Sequence, residues 1–372
     1  MAKNCPADMG MPVEDIDTPA LLIDLDAFER NVEKMADFTR DAGIRLRCHA
    51  KTHKSADIAR YQISRGAVGV CCQKVSEAEA LVGGGVMDVL VSNEVVGKKK
   101  IDRLAALAKR ARVLVCVDDP GNISDLDRAA GVQGIELEVL VEIDVGAGRC
   151  GVSPGQAAVP LAEKIAHAPN LKFAGIQAYQ GGAQHIHDYT ERQNAIDRAI
   201  EYAGDTVARI TAAGLSCDTV TGAGTGTYRF EAGSGLYNEL QCGSYIFMDA
   251  DYGRIDLGGG IGNAEFENSL FVVTSVMSNT RPGIAVCDAG LKAHSVDSGM
   301  PLIFDRPGLE YTGASDEHGQ ISDPGDTLNL GDRIFLIPGH CDPTVNLYDW
   351  FVGIRNGVVA VLWPVSARGM CI

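Results

Sequence analysis

Short apolar runs alternate with amphipathic stretches along the first two-thirds of this chain, and that alternation limits the fold more than any other feature. The runs fall at 20–25, 45–50, 67–72, 88–93, 112–118, 137–144, 173–179 and 218–222. Between them, stretches such as 98–111 and 154–168 place apolar residues three and four apart, the period of a helix with one buried face. Eight strand–helix units predict a closed parallel (β/α)8 TIM barrel. An open doubly wound sheet is the alternative, and the lack of a G-x-G-x-x-G turn after the first run counts against its dinucleotide-binding form. After about residue 252 the helical period fades. Runs at 270–276, 284–287, 333–337 and 357–363 are punctuated by Gly, Pro, Asp and Asn, as expected of a C-terminal antiparallel β domain. The segment before Pro19 is expected to add an edge strand to it. The expected division is a barrel over 17–252 and a β domain built from 1–16 and 253–372.

Charge and cysteine content narrow the partners. With 33 Lys and Arg against 49 Asp and Glu, the net charge is -16, which argues against nucleic acid or an anionic membrane surface. A small anionic substrate stays possible, because cations in a cleft can oppose the global sign. The eleven cysteines are odd in number and scattered, with a tandem Cys71-Cys72 and no C-x-x-C. They read as reduced thiols of a cytoplasmic protein, not as a disulfide framework or a zinc knot. No apolar leader follows Met1, and no run approaches the 18 or so apolar residues of a membrane span.

Several residues carry possible chemistry. Lys51 follows the second apolar run, where a barrel strand would open onto the mouth. A lysine there, sheltered and flanked by His49, His53 and Lys54, has the setting for a lowered amine pKa and Schiff-base chemistry, although a solvated loop charge is the plainer reading. The turn Gly222-Ala223-Gly224-Thr225-Gly226 follows the last run, and Gln241-Cys242-Gly243-Ser244-Tyr245 offers a second small-residue turn. Backbone N–H groups without side chains approach phosphate closely, and hydroxyls add donors. An amine opposite a phosphate cradle suits a phosphorylated aldehyde, and pyridoxal 5'-phosphate is the expected cofactor. Arg149, between glycines after the sixth run, could point into the mouth and meet a phenolate or carboxylate. In Pro338-Gly339-His340-Cys341-Asp342, an extended backbone would put His340 and Asp342 on one side. That pair, completed by water, suits Mg²⁺ or Mn²⁺. A plain turn is the competing reading.

Together these pieces resemble the fold-type III pyridoxal-phosphate enzymes, within them the D-threonine aldolase and D-serine dehydratase group. The resemblance runs from about Asp17 to Ser366. It rests on Thr18-Pro19-Ala20-Leu21, Lys51-Thr52-His53-Lys54, Gly148-Arg149-Cys150-Gly151, Thr221-Gly222-Ala223-Gly224-Thr225, Asp288-Ala289-Gly290-Leu291-Lys292 and Pro338-Gly339-His340. It implies an alanine-racemase-type barrel holding the cofactor, a metal-bearing β domain and a homodimer. His340 and Asp342 follow the aldolase His-x-Asp pattern. The stretches around Gln73, Tyr179, Gln241 and Tyr252 are most similar to 3-hydroxy-D-aspartate aldolases, which cleave β-hydroxyaspartate to glycine and glyoxylate. The resemblance therefore implies a carbon–carbon lyase acting on a D-configured 3-hydroxy amino acid. Alternatives are a D-threonine aldolase and a D-serine dehydratase-like β-elimination. Implied site residues are Lys51 for the cofactor aldehyde, Gln73 and Tyr179 at its ring, and Arg149 on its ring oxygen or on the substrate carboxylate. Gly222, Gly224, Thr225, Gly243, Ser244 and Tyr245 would hold the phosphate, and Gln241 replaces an arginine of the alanine racemases near the pyridine nitrogen. His53, His318 or a metal-bound water could be the base. His185, Lys292 or Arg149 could meet a β-carboxylate.

Overall fold

The computed structural model describes residues 5–258 and 265–372; residues 1–4 and 259–264 of the expected β domain lie outside the described residues. The first strand, β1 (Ala20–Asp24), is not a barrel strand. The closed barrel is made of β2 (Arg45–His49), β3 (Gly69–Cys72), β4 (Asp88–Glu94), β5 (Arg112–Val117), β6 (Leu137–Glu142), β7 (Leu171–Gln177), β8 (Thr219–Gly222) and β9 (Glu239–Leu240). Every neighbouring pair is parallel, and β9 returns to β2 through Arg45↔Glu239 and Leu46↔Leu240. The closed parallel barrel holds, but the strand that closes it was absent from the expected eight. Two residues are too few to show a period.

The barrel interior is filled by Cys71, Leu90, Leu114, Cys116, Leu140 and Ala174, one or two from each of β3 to β7. Where β7 meets β8, Gly175 has φ +134°, and a Cβ there would lie 1.9 Å from the Thr219 carbonyl oxygen. Only glycine permits that approach.

β1 instead sits inside a nine-stranded sheet with β10 (Leu270–Arg281), β11 (Ile284–Cys287), β12 (Leu302–Ile303), β13 (Glu310–Ala314), β14 (Gly319–Ser322), β15 (Arg333–Ile337), β16 (Trp350–Arg355) and β17 (Val358–Pro364). It pairs antiparallel with β10 and parallel with β16. Ala20, Leu21, Leu22 and Ile23 are all buried. A strand covered on both faces reads as a continuous apolar run, as a barrel strand does, and that is why the two looked alike. Among its described residues, the segment before Pro19 forms no edge strand. It contributes the single bridge Pro12↔Val358 and a 3-10 turn at Val13–Asp15.

By contacts the chain divides into a barrel unit, Met35–Lys51, Ile58–Gly243 and Met370–Ile372, and a sheet unit, Met1–Lys34, Thr52–Asp57 and Ser244–Gly369. The boundary therefore falls between Lys51 and Thr52, inside one of the motifs singled out above.

Candidate active site

The C-terminal strand ends of the barrel unit surround a cavity of about 220 Å³ lined by His49, Lys51, Gln73, Arg149, Gln177, Tyr179 and Gln241. Five of the expected site residues thus converge: Lys51, Gln73, Arg149, Tyr179 and Gln241. Lys51 lies two residues beyond β2, and its backbone N–H donates to His49 Nδ1 at 3.4 Å. The far side of that ring, Nε2, is 3.0 Å from Gln73 Nε2 and 3.5 Å from Ser92 Oγ. The Arg149 guanidinium lies over the Tyr179 ring, 5.7 Å from its centroid, a cation–π arrangement.

Gln241 and Gln177 face each other from β9 and β7. Gln241 Nε2 donates to Gln177 Oε1 at 2.6 Å and to Thr221 Oγ1 at 2.9 Å, while Gln177 Nε2 donates to Gln241 Oε1 at 3.3 Å. Both N–H donors of Gln241 are engaged, so this neutral side chain is fixed where it stands. A larger concavity of about 410 Å³ belongs to the sheet unit, beside Phe271, Phe304 and Phe335. It contains none of the expected site residues.

The glycine-rich turn after β8 is tightly built. A Cβ on Gly222 would lie 2.5 Å from the Ala178 carbonyl oxygen, and one on Gly224 would meet Gln184 Oε1. Ala223 has φ +68°. The hydroxyl of Thr225 is buried without a hydrogen-bond partner. An orphaned donor in a glycine turn fits an anionic ligand such as a phosphate. Gly243 closes the barrel unit, whereas Ser244 and Tyr245 open the sheet unit in a 3-10 turn, both buried.

In the sheet unit, His340 is extended, with φ -145° and ψ 124°, but residues Cys341–Val345 form a helical turn. The extended i, i+2 geometry expected for His340 and Asp342 therefore does not occur. His340 Nδ1 is 2.8 Å from Asp297 Oδ2, which sets the ring and leaves Nε2 as its outward nitrogen. The Cys341 thiol is fully buried, and burial pushes its pKa well above the ordinary thiol value. Its backbone N–H donates to Asp249 Oδ2 at 2.9 Å. Among the described residues no three His, Cys, Asp or Glu side chains gather around one point.

The remaining expectations scatter. His53 belongs to the sheet unit and is fully buried, its Nδ1 accepting the Ser55 backbone N–H at 3.0 Å. His318 and His185 are exposed. Lys292 is held in an exposed ion pair with Glu317 at 2.6 Å. All eleven cysteines are free thiols. No helix of the described residues is long and apolar enough to cross a membrane. His49 and Gln177 were missed as cavity residues. Their common signal is a polar residue at the C-terminal end of an apolar strand.

Comparison with known proteins agrees with this geometry. Residues 23–251 match the family "Alanine racemase, N-terminal domain", and residues 269–354 match the "Putative serine dehydratase domain". The chain is 55% identical to a 3-hydroxy-D-aspartate aldolase of Paracoccus denitrificans (strain Pd 1222), over 98% of this chain and 95% of that one. It is 45% identical to a D-threonine aldolase of an Arthrobacter species, over 98% and 96%. The crystal structure of D-threonine aldolase from Filomicrobium marinum superposes with a TM-score of 0.97 at 50% identity, covering 99% of this chain and all of that one. The chain therefore belongs to the alanine-racemase-fold family of pyridoxal-phosphate enzymes, in its D-threonine aldolase and D-serine dehydratase group, and is a lyase acting on D-hydroxyamino acids.

Proposed function

We propose that the protein cleaves a D-configured 3-hydroxyaspartate, reversibly, to glycine and glyoxylate. The observation that carries this reading is the cavity shared by Lys51, Arg149, Tyr179 and Gln241 in a chain 55% identical to a 3-hydroxy-D-aspartate aldolase. Lys51 Nζ carries the cofactor aldehyde. Backbone N–H groups of Gly222, Gly224, Gly243 and Tyr245, with the hydroxyls of Thr225 and Ser244, hold its phosphate. Bound there, pyridoxal 5'-phosphate supplies an electron sink for the pair released as the substrate Cα–Cβ bond breaks. Gln73 and Tyr179 border its ring, and Gln241 offers no charge to the pyridine nitrogen.

Arg149 binds the substrate α-carboxylate or the ring oxygen with its forked donors. His340 and Asp342 hold Mg²⁺ or Mn²⁺, an ion that supplies Lewis-acid polarisation of the β-hydroxyl. His53, His318 or a metal-bound water would take the hydroxyl proton, and Cα regains one to give glycine. The reading includes a homodimer working in the cytoplasm.

A product assay on D-threonine, D-serine and both 3-hydroxyaspartate diastereomers, with and without chelator, tests it. Glycine with glyoxylate supports the proposal, glycine with acetaldehyde makes the chain a D-threonine aldolase, and ammonia with a keto acid makes it an eliminating enzyme. Asp342→Ala is expected to keep the visible absorbance of the cofactor and lose chelator-sensitive turnover. Unchanged turnover removes Asp342 from the site.

A further inference from the structure

A buried amide ties the loop after β7 to the glycine turn after β8. Gln184 lies in the 3-10 turn Gly182–His185 and is 2% exposed. Its Oε1 accepts the Gly226 N–H at 3.0 Å. Its Nε2 donates to Thr227 Oγ1 at 2.8 Å and, less closely, to the Gln180 carbonyl oxygen at 3.4 Å. A backbone N–H can only donate and a carbonyl oxygen can only accept, so the amide has one orientation. Thr227 Oγ1 accepts from Gln184 and gives its own proton to Glu231 Oε1 at 2.9 Å. Glu231 is itself buried, and its Oε2 has no hydrogen-bond partner among the described residues. Three donors in series, the Gly226 N–H, the Gln184 amide and the Thr227 hydroxyl, therefore run one way, from the turn to a buried carboxyl. Bonds aligned in this sense polarise and strengthen one another.

The same amide limits which residues the turn can carry. A Cβ on Gly224 would collide with the Gln184 side chain, whereas one on Gly222 would meet the Ala178 carbonyl oxygen and the Tyr237 ring. Gly224 is small because Gln184 stands behind it. The Gly224 N–H also faces Thr227 Oγ1, at 3.4 Å, a long bond that a charged acceptor can displace. Thr225, with its orphaned hydroxyl, stands between the two glycines that Gln184 bounds.

We propose that Gln184 is a positioning residue that clamps the turn 224–227 through Gly226 and Thr227, and so aims the Thr225 hydroxyl and the turn's N–H groups at the cofactor phosphate. The inference rests on the reading of that turn as the phosphate cradle. A glycine-rich turn has many conformations to lose when it closes on an anion, and a clamp formed on folding removes that cost from binding. The place calls for an amide. A carboxylate there would accept from Gly226 but could not donate to Thr227, and a lysine or arginine could not accept from Gly226. Gln184 does not line the cavity around Lys51, so it acts through the turn.

The test compares pyridoxal 5'-phosphate with pyridoxal, which has the ring and aldehyde but no phosphate, in equilibrium titrations of full-length protein stripped of cofactor. Gln184→Met keeps the side-chain volume and loses both hydrogen bonds. It is expected to weaken pyridoxal 5'-phosphate by about tenfold and to leave pyridoxal within about twofold of wild type. Thr227→Val should repeat the loss one step along the chain, and Thr227→Ser, which keeps the hydroxyl, should restore wild-type affinity. Equal weakening of both ligands in Gln184→Met would make Gln184 a prop for the barrel mouth and overturn the proposal. Wild-type affinity in Gln184→Met, or a Thr227→Ser as weak as Thr227→Val, would overturn it as well. Should Gln184→Met fail to fold, the two Thr227 variants still decide. Failure of the cradle reading shows separately through Thr225→Val. If that variant also leaves the preference for the phosphorylated ligand unchanged, the phosphate is held elsewhere; if it alone lowers the preference, the cradle stands and only the clamp is lost.

Discussion

The two ends of the barrel treat buried charge in opposite ways. At the N-terminal strand ends an unbroken belt of ion pairs crosses the sheet. Arg47 reaches Glu239 at 2.9 Å and Asp88 at 2.5 Å; Arg112 reaches Asp88 at 2.9 Å and Glu138 at 2.7 Å. Arg47 and Glu239 are each only 2% exposed at the side chain. Their pairing spans the seam where two-residue β9 meets β2 and the backbone ladder is shortest. At the C-terminal strand ends the polar groups are left incomplete. Glu94, Glu142 and Thr225 have buried side-chain oxygens without a hydrogen-bond partner among the described residues, and Glu231 is buried with the Thr227 hydroxyl as its side-chain donor. One end satisfies its charges internally and holds the barrel shut. The other keeps them unsatisfied and so has chemistry to offer a ligand.

The contrast can be broken most severely at the mouth. Lys51→Ala is expected to lose the visible absorbance of bound cofactor and essentially all turnover, with an unfolding midpoint in urea close to that of wild-type protein stripped of cofactor. At the opposite end, Glu239→Ala leaves the buried Arg47 guanidinium with Asp88 as its remaining carboxylate and should cost about 3 kcal/mol in urea unfolding. Its folded fraction should keep the cofactor spectrum. A mutant as stable as wild type would mean the belt contributes nothing to closure.

A subtler test uses Glu231, which burial raises from 4.5 to about 7. The folded state prefers the neutral acid. Its stabilising contribution is therefore present below about 4.5 and is lost as pH rises through about 7. Above that range the penalty is on the order of 3 kcal/mol. Glu231→Gln should match wild type in acid and exceed it in alkaline urea unfolding; a constant difference across pH would show that Glu231 is not neutral when folded. Smallest of all, Thr225→Val removes one orphaned hydroxyl. Stability should barely change, while affinity for pyridoxal 5'-phosphate falls by about tenfold, roughly 1.4 kcal/mol, in equilibrium titration.

Legibility in the sequence followed local period. The seven longer barrel strands announce themselves because each is a short strand-like run, most of them apolar, with a helix after it. β9 does not, because Glu239 and Leu240 show no period and are polar on one side of the pair. β1 misled for the opposite reason: Ala20 to Ile23 are buried on both faces, as barrel residues are, but inside an antiparallel-rich sheet. Among the cavity residues, Lys51 and Arg149 were readable from their places beyond strand-like runs, whereas Gln73, Tyr179 and Gln241 came from the family resemblance. His340 and Asp342 were expected as a pair on an extended backbone, and the helical turn at Cys341–Val345 was not foreseen.

What the chain alone determined is the barrel, the separate β-rich segment and the set of polar residues at the strand ends, since each follows from short-range alternation and burial of apolar surface. Only the tertiary structure decided which strand closes the barrel and which amides and imidazole meet around Lys51. Those facts depend on long-range packing. Contact between residues distant in the chain is set by how the strands close on one another, and local period carries no record of it.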